Sequence, residues 1–598
     1  MELHAIDWAI IVGYFVLALS IGLVFKNRAG SSFVEYFASG RSLPWWIAGT
    51  SMVATTFAAD TPLAVTGLIA KHGLAGNWFW WAWAFGGMLT VFVFAKLWRR
   101  AEVLTDVELI ELRYHGRAAS FLRGFRAFYV AAVVNSIVIG WVTKAMCSVL
   151  QQTVLAGTPR DTHTDLLLVI GMLAVTGLYA VVSGMWGVAI TDVVQFVLAM
   201  VGCVLLAVVA VDHVGGIDAL REKITGVFAG QGDPLAFVPD FSGDKTAIPI
   251  GLFACLVLSQ WWATWYPGAE PGGGGYIVQR MASCKDEHHA VKGTLLFQLA
   301  HYCLRPWPWI LVAFAALVLH PELRTADDAG PGFPMMIREL APTGLRGLLL
   351  VTFAAAFMST ISTQMNWGAS YLVNDVYRRF VAPQADDRRL LIVSRLASAL
   401  VLLLGGAVGW FMVASDVSVA DAWAFLSAMG AGVGAVFILR WFWWRINVWS
   451  EISAMVGSLV VFTVFHYAVP EKALAGEYRS LIVAVITMVL WLAVTFATPP
   501  ESRDHLIAFH RKVRPAGPGW GPIAAAAGVR PESGLGRGIL CAVLGTAVIW
   551  LTLPGIGAVI FGETGKAALC LGGAAVAAVL MFVVFAGGRD AETTARSG

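Results

Sequence analysis

Residues 50–67 read TSMVATTFAADTPLAVTG. They lie in an apolar segment, near 44–70, that exceeds the ~20 residues a helix needs to cross a bilayer. Yet this one span carries Asp60, Pro62 and Gly67. Proline has no N–H, so Pro62 frees a carbonyl one turn earlier and the helix is expected to break. A second interruption follows the segment 247–266, which runs into PGAEPGGGG at 267–275, a run that cannot continue a helix. Spans two to six lie between the starts of these two interrupted segments. An odd number of helices per unit means that the second unit is inserted upside down. The pattern predicts inverted repeats whose broken helices build a mid-membrane site. Simple kinking at Pro and Gly is the plainer reading of either break taken alone.

The rest of the chain agrees with a membrane setting. Of its 598 residues, 58% are hydrophobic and only 13% are charged, against about 25% charged in soluble proteins. Mean hydropathy is +0.73. Fifteen spans are predicted, near 7–25, 44–70, 77–98, 122–153, 163–183, 187–212, 247–266, 293–320, 343–375, 389–415, 420–441, 449–469, 478–498, 536–561 and 564–587. A tight turn at Gly184–Gly187 divides the fifth from the sixth. The first span follows acidic Glu2 and Asp7, not a basic leader, and is read as a retained helix. The net charge is +3. The basic residues crowd into short loops on one side, which places the N-terminus outside and the C-terminus in the cytoplasm. They act as topology signals, and no nucleic-acid surface is expected. The seven cysteines show no disulfide or zinc spacing.

Residues 351–366, VTFAAAFMSTISTQMN, put hydroxyls and amides inside an apolar crossing. Hydrocarbon does not solvate hydroxyls, so such a cluster faces other helices or a buried site. Ala356, Ser359 and Thr360 stand at i, i+3 and i+4, on one helical face, and Ser362 and Thr363 extend it. Oxygens converging at that depth suit a small hard cation. Plain helix–helix hydrogen bonding is the alternative.

Three segments, GLYAVVSGMWGVAITDVVQF at 177–196, YIVQRMASCKDEHHAVKG at 276–293 and AAAFMSTISTQMNWGASYLVNDVYRRF at 354–380, carry a resemblance. From about residue 7 to 500 the chain resembles the sodium:solute symporter family, including its sodium/proline-type members. The resemblance implies an all-α polytopic membrane protein with LeuT-like inverted five-helix repeats, one extra N-terminal helix and about four extra C-terminal transmembrane helices. The implied divisions are 1–42, an N-terminal helix and cytoplasmic loop; 43–213, the first repeat; 214–446, the second repeat with its linking loop; and 447–598, the additional helices and a cytoplasmic linker. The family's main sodium site, transferred by local alignment, falls on the carbonyls of Ala54 and Phe57 and on Ala356, Ser359 and Thr360. A second sodium found in some members falls on Asp192, Ser359, Ser362 and Thr363. Asp192 reads equally as a second ion ligand or as an exit relay or cap.

Asp60 and Thr61 are candidates for substrate contact, with capping of the following half-helix the favoured alternative for Asp60. Gln260, Trp261 and Trp262 are candidates from the second broken helix. The aromatic run NWFWWAW at 77–83 reads either as a membrane-interface belt or as cavity lining. No acidic residue occurs in 77–98, where a sugar-binding relative would carry a carboxylate, which argues mildly against a hexose. His288 and His289 read as a solvated loop, and Gly272–Gly275 lacks the Lys-Ser/Thr of a phosphate loop. No nucleophile–base pattern is present, so no enzyme is expected.

These readings together imply a sodium-coupled symporter that imports a small organic solute by alternating access, with sodium as the coupling ion and no organic cofactor. The solute reads as an amino acid or related zwitterion. A sugar, a carboxylate or a vitamin is the alternative, and an uncoupled channel or a non-transporting sensor is the rival class. No output domain is expected after residue 587. The expected location is a bacterial inner membrane. Oligomeric state is not readable from the sequence.

Overall fold

The computed structural model describes residues 2–158, 161–230, 232–238, 248–263, 270–415, 417, 419–469, 476–529 and 534–597. All regular elements among them are helical. Among the described residues twelve helices are long and apolar enough to cross a membrane, and a thirteenth crossing is the pair Trp45–Thr56 and Thr61–His72, bent by 56°. That bend is the break predicted from Asp60 and Pro62.

The remaining two predicted spans are divided. The seventh is Ile250–Ala263, followed among the described residues by Gly275–Ser283. Gly272, Gly273 and Gly275 between and at the start of these pieces take positive φ, where a side chain would be strained. Residues 267–269 of the predicted interruption lie outside the described residues. The eleventh, expected to be continuous over 420–441, is split into Val419–Met429 and Gly434–Phe442. Its alternate glycines at 430, 432 and 434 let the chain turn, with Gly432 at φ 92°. The Gly432 N–H donates to the Ala263 carbonyl at 2.6 Å. A Cβ on Gly434 would stand 2.2 Å from the Trp262 carbonyl. The break at 430–434 thus meets the open end of the second broken helix, and each supplies partners for backbone groups that the other leaves free.

The hydroxyl-bearing helix, Leu345–Val381, is the most enclosed of the long crossings. It packs against Ala5–Ala29, Gly116–Gln152, Ser183–Val214 and Asp387–Ala414. Its small residues admit this crowding. The first broken helix lies across its middle and is pressed from behind by Glu287–Leu319. There a Cβ on Gly49 would come 2.5 Å from the Gly293 carbonyl. The last two helices, Leu535–Ile560 and Thr564–Gly587, form a hairpin against the core. Trp307 Nε1 donates to the Leu553 carbonyl at 3.1 Å, and Trp550 Nε1 to the Trp81 carbonyl at 3.2 Å.

The end of the molecule that carries the basic loops is closed by buried ion pairs. Arg123 bonds Asp375 at 2.6 Å, and Thr105 donates to the same carboxylate at 2.6 Å. Arg440 pairs with Glu451 at 3.1 Å, and Tyr114 donates to Glu451 at 2.7 Å. The Tyr371 hydroxyl donates to Asp106, which also pairs with Arg126.

Candidate functional site

The first half of the broken helix stops at Thr56, and Phe57 leaves helical geometry at φ −89°, ψ 70°. The Phe57 N–H still turns back to the Val53 and Ala54 carbonyls, but no further helical turn follows, so the last carbonyls of that half keep room for another partner. They point at the hydroxyl face of Leu345–Val381. Ser359 Oγ lies 3.1 Å from the Ala54 carbonyl and 3.0 Å from the Ala356 carbonyl. Thr360 Oγ1 lies 3.0 Å from the Thr55 carbonyl and 3.1 Å from that of Ala356. Both hydroxyls are buried. Ala54, Ala356, Ser359 and Thr360 are therefore brought together, and Thr55 joins them as a carbonyl that the sequence does not single out. Phe57 sits at the turn itself, its ring edge-on to Trp309 at 4.8 Å, and no described hydrogen bond links it to the two hydroxyls.

One turn toward the closed end, Asp192 Oδ2 accepts from Ser51 at 2.5 Å and faces Arg280 Nη2 at 3.7 Å. Arg280 also donates to Thr363 Oγ1 at 2.6 Å and to Ser51 Oγ at 3.2 Å. Asp192 and Thr363 are thus neighbours, with a guanidinium between them. Ser362 turns away, toward Tyr179 and the Ser359 carbonyl. Asp192 lies inside Ser183–Val214, well past its N-terminus, so it is not an N-cap.

On the opposite side of the hydroxyl cluster a cavity of about 1600 Å³ runs outward to Lys71, Asp327 and Asp328. Thr55 and Thr360 form part of its floor, so the ion-sized cluster and the cavity share a wall. Asp60 and Thr61 line it, as predicted for substrate contact. Asp60 occupies the position before the second half-helix, but its side chain makes no capping hydrogen bond, and Oδ1 has no hydrogen-bond partner among the described residues. The favoured capping role is therefore not what the side chain does. Gln260 lines the cavity, whereas Trp261 and Trp262 do not. Trp261 packs edge-on to Phe85 at 4.7 Å, and Trp262 Nε1 returns to the Leu258 carbonyl. The run 77–83 divides by face. Phe79, Trp80 and Trp83 line the cavity, while Trp78 and Trp81 pack against Phe237 in the core.

The sequence pattern does not single out Glu270, His301, Arg305 or Gln364, all of which line the cavity. For Arg305 the signal is plain in hindsight. It is the one acidic or strongly basic residue in the apolar span 293–320, and such a charge is functional by default. Its placement has a local cause. Pro306 and Pro308 lack N–H groups, so the preceding turn widens, and Arg305 N reaches the Ala300 carbonyl at 3.3 Å, five residues back. This π-turn over Ala300–Leu304 rotates His301 and Arg305 into the cavity.

Comparison with known proteins places this architecture. The sodium:solute symporter family model matches residues 36–460. The sodium/glucose cotransporter 4 of Danio rerio is 25% identical over 555 residues, covering 84% of this chain and 80% of that protein. A sodium/mannose cotransporter of Bos taurus is 28% identical over 497 residues, covering 77% and 78%. The sodium/myo-inositol cotransporter 2 of Homo sapiens is 24% identical over 559 residues, covering 84% and 79%. Among solved structures, the substrate-bound outward-open state of a sodium-coupled sialic acid symporter superposes with a TM-score of 0.65 at 19% identity, over 84% of this chain and 99% of that one. The fold is accordingly the LeuT-like one, with an added N-terminal helix and added C-terminal helices. A family match over most of the chain, on a fold with two broken helices around a buried oxygen cluster, makes this a multi-pass membrane transporter and not an enzyme. The chain belongs to the sodium:solute symporter family, and it is a sodium-coupled symporter of small-molecule solutes.

Proposed function

We propose that this symporter holds its coupling ion between the two helices that meet at Ser359, and imports an amino acid or related zwitterion through the adjoining cavity. The observation that carries the ion assignment is the approach of Ser359 Oγ and Thr360 Oγ1 to within 3.1 Å of the Ala54 and Thr55 carbonyls at the open end of the broken helix. Sodium wants about six oxygens, mostly carbonyl and hydroxyl, and this pairing of an open helix end with an intact hydroxyl face supplies them. Ala54, Thr55, Ala356, Ser359 and Thr360 form the set, with Phe57 completing it by its turned carbonyl. The Asp192–Thr363 neighbourhood serves as an exit step. Arg280 holds those acceptors in this conformation, and sodium meets them when the guanidinium withdraws.

The zwitterion reading rests on Asp60, which presents an unpartnered carboxylate oxygen to the cavity beside aromatic faces suited to a cation. The named relatives favour a second reading, a sugar or polyol, and Trp80 and Trp83 on the cavity wall would suit a sugar face. The two repeats are assigned to 43–213 and 214–446, flanked by 1–42 and 447–598. With the N-terminus outside and the C-terminus in the cytoplasm of a bacterial inner membrane, the cavity mouth at Lys71, Asp327 and Asp328 faces out, and the ion-paired end is shut.

Each sodium crossing ~100 mV contributes about 2.3 kcal/mol, and a tenfold gradient adds about 1.4 kcal/mol. One ion therefore supports roughly several-hundred-fold accumulation. Uptake of labelled amino acids and of labelled glucose into proteoliposomes, with and without an inward sodium gradient, tests the reading. Gradient-driven amino-acid uptake is expected. Gradient-driven glucose uptake alone would select the second reading, and uptake indifferent to sodium would overturn coupling.

A further inference from the structure

We propose that Arg305 is the anion anchor of the substrate, so that the solute taken up in the sodium-driven cycle proposed above must carry a carboxylate. Arg305 is 1% exposed and lines the cavity. A guanidinium so placed has lost its hydration and normally pairs with a carboxylate. Among the described residues none lies within ion-pair distance of it. Its hydrogen-bond partners among the described residues are all neutral. Nε donates to the His301 carbonyl at 3.1 Å, Nη1 to Thr56 Oγ1 at 3.1 Å, and Nη2 faces the His301 ring, with Nδ1 2.5 Å and Nε2 3.2 Å away.

A guanidinium has five N–H groups, one on Nε and two on each terminal nitrogen. Those contacts engage all three nitrogens through two neighbouring residues, Thr56 and His301. Each terminal nitrogen carries two N–H groups, so Nη1 and Nη2 keep capacity for a further acceptor each, which is what the two oxygens of a carboxylate require. The neutral contacts fix the fork without cancelling its charge. Trp309 and Trp80 lie 5.2 and 5.9 Å from the guanidinium carbon and wall it against other orientations.

The same cavity supplies the opposite requirement. Asp60, 2% exposed, and Gln364, also 2% exposed, each direct a buried oxygen at it with no described hydrogen-bond partner. Asp60 acts on the guanidinium only through space, beyond ion-pair distance, so a neutral polyol would satisfy those acceptors but leave the fork without a direct counter-charge. A solute with a carboxylate at one end and N–H donors close by satisfies both. A zwitterionic amino or imino acid has that pattern.

The test uses the full-length protein purified in detergent. Its unfolding temperature is followed, in sodium, against the common amino acids, pyruvate, succinate, D-glucose, D-mannose and myo-inositol, for the wild type, R305K and R305Q. Stabilisation by at least one carboxylate probe and by none of the three neutral ones is expected. R305K keeps the charge but loses the fork, and its affinity for that probe should fall about tenfold or more. In R305Q the probe's stabilisation should vanish. The proposal is overturned if only neutral probes act, if no carboxylate acts, or if R305Q responds to the carboxylate as the wild type does. Stabilisation of the wild type by sodium alone, without any probe, reports on the ion site separately. Its absence would sink the ion assignment while carboxylate binding in R305Q and wild type still judged Arg305.

Discussion

Thr360 contributes one buried hydroxyl that touches both the broken helix and its own helix. Removing it should cost the bound ion one ligand and leave the Thr55 carbonyl unpartnered, a loss of about 1–3 kcal/mol. The sodium concentration for half-maximal uptake in Thr360→Ala is thus expected to rise roughly tenfold to a hundredfold, with Thr360→Ser close to wild type. Asp60 makes no capping bond, so Asp60→Asn should leave expression and unfolding temperature near wild type while weakening apparent solute affinity. Lost expression with unchanged affinity would restore the capping role. The hydroxyls were legible because residue type and the i, i+3, i+4 spacing both point to one face. The Thr55 carbonyl was not, because every residue has a carbonyl and only the exact end of the helix frees this one. Arg305 carried a sequence signal, but its neutral partners and its place in the cavity depend on how three helices meet.

The broken helices are held open by close contacts as much as by their own chemistry. Gly49 and Gly293 let the first half-helix settle on Glu287–Leu319, with no room for a methyl group on Gly49. Gly49→Ala is expected to destabilise by about 1–3 kcal/mol through overpacking, seen as a lowered unfolding temperature. Because the shift displaces the Ala54–Thr56 carbonyls, sodium affinity should fall in the folded fraction. Gly67→Ala, where open space surrounds the added methyl, should do neither. The break at Asp60–Pro62 was legible because proline removes a donor. The break at 430–434 was not, because glycines are common in membrane helices. What opens these glycines is a tertiary contact, Gly432 N to the Ala263 carbonyl, which no local pattern encodes. The spans themselves were legible almost throughout, since apolar length alone defines them, and the differences lie where a span is interrupted.

The shut end of the transporter is a charged structure, and its stability follows its carboxylates. Glu111 stands in the short helix Leu109–Arg113 between crossings. Partial burial raises its pKa, but hydrogen bonds from Arg379, Ser120 and Arg123 outweigh that and hold it at about 2, below its ordinary 4.5. A depressed carboxylate stabilises the fold above its unfolded pKa and loses that contribution as pH falls toward the folded value. Wild type should therefore lose stability relative to Glu111→Gln as pH is lowered from about 4.5 to about 2, the variant being the less stable of the two at neutral pH. Thermal unfolding of both proteins across that range checks the sign. The closed end and the open cavity meet at the oxygen cluster, so one ion there can tie the half-helix to the core and set which end is shut. The most direct measurement is equilibrium binding of radioactive sodium to the purified protein and to Ser359→Ala and Thr360→Ala. Saturable binding in the wild type, lost or strongly weakened in both variants, is the predicted result; binding of equal strength in all three would contradict the placement of the ion.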